Sequence, residues 1–236
     1  MKKILIIALF LFVSQTVNSQ VLISLLFGEA LNTGKIEFGL DGGVHLASIS
    51  GIDQGQHLLS WNLGFYFDIK LPDSSWMIHT GVIVKSTLGM AKQPVYSLND
   101  PDLDAAFGGG SVATRLQYFN VPIMIKYKIN KHFFVEGGPM LGLLHKANDE
   151  FTHTVKESDD LTYQLDTKNR YHPIDAGIMV GTGYRLMGGN GMNLGIRYYY
   201  GLVDILIDDS SPNQYNRAVY FTVGMPIGVT KQSGKN

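Results

Sequence analysis

Three groups of residues in this 236-residue chain have side chains suited to chemistry. His79, Ser86 and Glu136 supply the imidazole, hydroxyl and carboxylate of a nucleophilic triad. His79 and Ser86 are an odd number of positions apart on one extended run, so a regular strand points them to opposite faces and the set is broken. Asn99, Asp100, Asp102 and Asp104 place oxygen ligands in a tight run, as a calcium loop does. That run lacks the glycine and the distal glutamate of a calcium-binding hand, so it reads as a solvated acidic loop. The third group is the largest: Glu37, Asp41, Asp68, Lys70, Lys85, Lys126, Lys128, Glu136, Asp175, Arg185 and Arg197 each interrupt an apolar stretch. Acids and bases are nearly balanced there, which is the composition of mutual neutralisation rather than of catalysis. No phosphate-cradling loop or zinc-helix motif occurs. The absence of cysteine excludes disulfide frameworks, thiolate metal sites and lipoprotein-type acylation. A formal net charge of -1 leaves no electrostatic footprint for nucleic acid. The expectation is a protein with no catalytic residue, no metal and no cofactor.

The elements that carry these charges are strands. In residues 118–127, Phe119, Val121, Ile123, Ile125 and Tyr127 alternate with Tyr118, Asn120, Pro122, Met124 and Lys126, giving one bulky apolar face and one mixed face. Similar runs occur at 36–47, 57–71, 76–90, 132–146, 172–186, 192–205 and 217–229, which makes eight. Glycines are interleaved with the charges on the mixed faces, where they relieve crowding and let strands bend. Pro122, Pro139 and Pro226 lack a ladder donor, so each calls for a bulge or another partner.

The connections alternate in length. Links at 72–75, 130–131 and 187–191 are short, and the last holds an Asn-Gly pair suited to a tight hairpin. Links on the other side are longer and polar, the longest at 91–114 and 147–171. Short turns on one side and long loops on the other is the pattern of an outer-membrane barrel, with the apolar faces toward lipid and the charges in the lumen. Aromatics fall near both rims: Phe67, Trp76, Tyr127, Phe133 and Tyr184 at the short-turn side, and Trp61, Phe119, Tyr198, Tyr200 and Phe221 toward the long loops. A barrel of eight strands is only wide enough for its own side chains. The lumen set Glu37, Asp41, Asp68, Lys85, Lys126, Glu136, Asp175, Arg185 and Arg197 should therefore pair into a filled polar core.

The N-terminus reads as an export signal: Lys2 and Lys3, an apolar run over 4–13, then Val17-Asn18-Ser19, with removal expected after Ser19. Residues 20–35 show a helical apolar face and are expected to form either a short amphipathic helix before the first strand or a frayed terminus left after cleavage. The barrel is expected over 36–230, followed by a polar tail at 231–236.

The strand motifs resemble the PorT-like outer-membrane β-barrel family of Bacteroidota. The likeness rests on 118–127, Gly137-Gly-Pro-Met-Leu-Gly142, Asp175-Ala-Gly, Gly181-Thr-Gly-Tyr184 and Arg197-Tyr-Tyr-Tyr-Gly-Leu-Val-Asp204. It implies an all-β, eight-stranded antiparallel up-and-down transmembrane barrel in the outer membrane, some relatives serving type IX secretion or gliding. The implied partners are outer-membrane lipid and other envelope or secretion proteins, with no nucleic acid. Two rival readings stand beside it: a lipid-modifying barrel enzyme, and a soluble lipocalin-like ligand barrel.

Overall fold

The structure, a computed structural model, describes residues 34–73, 75–156, 159–189, 191–208, 210 and 212–227. The expected export signal, most of the expected N-terminal helix and the C-terminal tail lie outside the described residues.

Among the described residues nine antiparallel strands form the sheet: β1 (Ile36–Ser50), β2 (Gln56–Lys70), β3 (Trp76–Gln93), β4 (Ser111–Lys128), β5 (Phe133–Lys156), β6 (Asp159–Asp166), β7 (Ile174–Arg185), β8 (Asn193–Gly201) and β9 (Tyr215–Pro226). Eight close into a ring, because β4 pairs with β5 and β1 pairs with both β2 and β9. β6 stands outside the ring, paired only to the far end of β5. The expectation of eight strands is thus corrected to a ring of eight with a ninth. Residues 159–166 belong to a strand because Leu161, Tyr163 and Leu165 alternate with polar residues and fold back on the overlong β5.

The polarity of the ring is inverted relative to a soluble core. On β4, Ile123 and Ile125 are each 46% exposed, while Met124 is 0% and Lys126 2% exposed beside them. The same alternation runs through β5, β7, β8 and β9. A closed ring satisfies its backbone bonds internally, so its bare apolar outer wall suits hydrocarbon rather than water.

Two expectations fail locally. The β2–β3 register shifts between Leu63↔Lys85 and Gly64↔Ile83, and the β3–β4 register shifts between Ile83 and Ser86. This bulge leaves Val84 and Lys85 both exposed and reverses the parity of the residues beyond it on β3. Lys85 therefore lies on the outer wall, not in the lumen, and Leu88, which unbroken alternation from Ile78 and Val82 would put outside, is fully buried. Pro122, by contrast, has no bulge on either side: Thr80↔Ile123 and Ile83↔Asn120 hold one register across it. Close strand contact at the glycines is real at Gly138, where a Cβ would stand 2.2 Å from the Ile123 carbonyl oxygen.

Candidate functional site

The lumen has two storeys. In the short-turn half, residues from several strands meet as a buried ionic lattice. Arg197 on β8 is its hub: Nε donates to Glu136 and Nη1 to Asp41, each at 2.5 Å, and Nη2 stands 3.2 Å from the His79 ring. Lys126 donates to both oxygens of Asp68, at 2.8 and 3.1 Å, and lies 3.6 Å from Glu136. His79 closes the lattice through Asp68 at 2.6 Å. Nearer the rim, Arg185 pairs with Glu37 at 2.5 Å, and the Tyr66 hydroxyl donates to the same carboxylate. Strand alternation explains the gathering, because each of these residues holds an inward position near the short-turn end of its strand.

The long-loop half is different. Tyr118, Met140, Leu144, Met179, Tyr199 and Tyr220 are buried there with Leu88 and Leu116, and Met124, opposite His79, joins this cluster to the lattice. The filled polar lumen expected from the sequence is therefore ionic in one half, while the other half mixes these large side chains with buried neutral polar groups such as His45, Asn62, Asn120 and Asn216. Asp175, expected in the ionic set, lies apart in this upper half, where Asn216 Nδ2 donates to it at 2.9 Å. Lys70 is exposed at the short-turn rim and donates to the Gly34 carbonyl. Strand alternation already places the tyrosines and methionines inward; charge alone, without side-chain volume, does not single them out.

The three triad candidates are all lumenal, but His79 and Ser86 do not meet. The bulge at Val84 and Lys85 restores Ser86 to the inner face with His79, which corrects the expectation that they face opposite ways. At about 3.3 Å per residue they still stand roughly 20 Å apart along β3. His79 and Glu136 are engaged in the lattice, and the Ser86 hydroxyl lies 3.4 Å from that of Tyr220.

The rim aromatics are on the outer wall. Trp76 packs on Tyr127 with ring centroids 4.6 Å apart, Phe133 on Tyr184 at 4.9 Å, and Phe67 on Phe38 at 5.1 Å, all near the short turns. Trp61, Phe119, Tyr198, Tyr200 and Phe221 are exposed farther along their strands.

Above the ring, β5 and β6 project as a hairpin against the segment joining β3 to β4, which carries the short helix α1 (Pro101–Phe107). Phe107, Val112 and Phe151 form a small core of their own, with Tyr96 and Tyr163 packed on it. Burial and a hydrogen bond to Asp149 push the Tyr96 phenol up to about 12. The acidic run that resembled a calcium loop is engaged internally. Asp100 caps α1 by accepting from the Asp102 and Leu103 amides, and Asp104 accepts from Ser97 and the Leu98 amide. Among the described residues no group of three or more His, Asp or Glu side chains is placed to hold a metal.

A closed antiparallel ring, greasy outside and ion-paired inside, is an integral β-barrel of a membrane. Residues 14–206 match the family model described as outer membrane protein beta-barrel domain, and the chain belongs to that family. It is accordingly an outer-membrane protein. No curated protein matches the sequence. The chain is similar to solved structures of Ail, the attachment invasion locus protein of Yersinia pestis, at 11% identity over 81% of this chain and 99% of that one, with a TM-score of 0.44. Neisserial surface protein A matches at 9% identity over 80% and 96%, with a TM-score of 0.42. OprG from Pseudomonas aeruginosa matches at 13% over 81% and 93%, with a TM-score of 0.34.

Proposed function

We propose that the protein is a closed, non-enzymatic barrel of the PorT-like Bacteroidota kind, exported by its N-terminal segment and acting as an accessory to protein secretion. The observation that carries this reading is the double plug. A lattice of ions fills one half of the lumen and packed tyrosine, methionine and neutral polar side chains fill the other, so the described residues leave little room for a solute to pass through the ring. What such a barrel offers is its surface: a stable ring that holds the folded cap of β5, β6 and α1 above the membrane, where other envelope proteins can dock.

The test is deletion of the gene followed by a census of secreted and surface proteins. Loss of a defined set from the medium or surface, restored by the wild-type chain, is expected. An unchanged census accompanied by an altered acyl pattern in the outer-membrane glycolipid would refute the secretion reading and favour an enzyme. Purified barrel in planar bilayers should give no conductance steps.

A further inference from the structure

Two cations on the outer wall have no place in the lumen chemistry. The β3 bulge turns Lys85 outward, where its Nζ sits 3.7 Å from the centre of the Trp61 ring on β2. On β9, Arg217 lays its guanidinium 3.7 Å over the Tyr200 ring of β8 and donates through Nη1 to the Gly201 and Asn216 carbonyls. Neither has a carboxylate within 4.0 Å among the described residues, whereas Arg115, higher up, is paired with Glu150 at 3.2 Å.

They sit at similar heights, with one residue of the β3 count taken up by the bulge. Lys85 is nine residues along β3 from Trp76, and Arg217 is nine residues along β9 from Pro226, both counted from the short-turn ends. At about 3.3 Å per residue and a tilt near 40°, nine residues climb roughly 23 Å, the upper edge of an apolar band about 25 Å tall. Between the short turns and that level, no outward-facing residue of the barrel strands is Asp, Glu, Lys, Arg or His. The first charges met on leaving the hydrocarbon are thus these two cations, each braced on an interfacial ring with donors left over. A cation on an aromatic face keeps its charge while its stem covers apolar surface. Below Arg217 the wall offers acyl-chain surface: on the same strand Phe221 and Val223 are 47% and 37% exposed.

We propose that Lys85 and Arg217 hold the phosphate groups of an outer-leaflet glycolipid, whose acyl chains lie on the wall below. The inference rests on the membrane reading and adds a defined lipid contact to it. Charge complementarity selects the occupant, because headgroup phosphates lie at the level where the two cations emerge.

The test uses the chain refolded into phosphatidylcholine vesicles, alone, with bis-phosphorylated lipid A, or with lipid A stripped of its phosphates. The readout is the thermal midpoint at which the compact, heat-modifiable form is lost. The phosphorylated lipid should raise the wild-type midpoint and the stripped lipid should not. Lys85→Gln and Arg217→Gln should each lose about half of that rise, the pair all of it, since the sites are far enough apart to act independently. Lys85→Arg, which keeps the charge, should retain it. A double variant that keeps the full rise, or an equal rise with stripped lipid, overturns the proposal. Insertion into plain vesicles separates the two levels: a chain that inserts but shows no phosphate-dependent rise sinks the lipid contact alone, and one that never inserts sinks the membrane reading too.

Discussion

Replacing Arg197 by methionine keeps much of the length of the side chain and removes its charge from the centre of the lattice. Two carboxylates then lose their shortest partner. Glu136 keeps Lys126 at 3.6 Å, but Asp41 has no other cation within 4.0 Å among the described residues. Water offers little relief, because the void lined by Asp41, His79 and Arg197 measures about 10 Å³, room for about one molecule. Leaving one partner of a buried pair uncompensated costs about 3–5 kcal/mol. We expect Arg197→Met to lower stability by ~4 kcal/mol, about three decades in the folding constant. Urea unfolding in lipid vesicles measures it, and Trp61 and Trp76 are convenient reporters because both sit on the outer wall, 48% and 41% exposed. The diagnostic step is the triple variant Arg197→Met, Asp41→Asn, Glu136→Gln. It removes the stranded charges with their partner and should recover most of the loss, since an ion pair exchanged for neutral groups is often near neutral. A single variant losing under ~1 kcal/mol would refute the reasoning, because the lattice would then be solvated rather than buried.

Three further outcomes concern other parts of the ring. Ile123→Arg puts a charge on the wall near mid-depth and should cost ~2–4 kcal/mol in the same assay, whereas a soluble barrel would tolerate it. Gly138→Ala must push the β4 backbone away from a Cβ that would sit 2.2 Å from the Ile123 oxygen, so a loss of ~1–3 kcal/mol is expected by equilibrium unfolding. In the cap, hydrogen bonds from Ser97 and Leu98 hold the Asp104 carboxyl below the usual carboxylate range. Its support of the 94–110 segment is therefore complete above the unfolded value near 4 and is lost as pH falls through the lower folded value. Protease nicking of that segment should rise on acidification, and Asp104→Asn should flatten the pH dependence.

Strand alternation makes most of the ring legible, because a period of two needs no tertiary knowledge. The inward stations of Asp41, Asp68, Lys126, Glu136 and Arg197 come from it directly. It fails where a backbone irregularity intervenes. Nothing in Val82-Ile83-Val84-Lys85-Ser86 marks an extra residue, so parity counting sends Lys85 inward, Leu88 outward and Ser86 away from His79. The bulge arises from fitting three neighbouring strands together, which a local pattern does not encode. The hairpin of β5 and β6 escapes for another reason. Its alternation of Leu161, Tyr163 and Leu165 is present but lies within an acidic stretch, and charge density reads as loop. Tyr163 and Leu165 face a core supplied by Phe107 and Tyr96, from a segment some sixty positions earlier, while Leu161 stays exposed.

The division of the lumen into an ionic storey and a storey of packed tyrosine, methionine and neutral polar groups bears on where function can reside. A ring of eight leaves so little interior that any uncompensated group would be costly, and here the interior is spent on cross-bracing: Arg197 ties β8 to β5 and β1, and Lys126 ties β4 to β2. The charged groups of the lattice are committed to holding their own wall. On the outside, the Lys85 and Arg217 cations at headgroup level and the edge of β6 in the cap face away from it. A variant that loosens the lattice should therefore lower the unfolding midpoint while leaving the phosphate-dependent rise intact, and the loss of both together would mean that the outer sites depend on lumen packing after all.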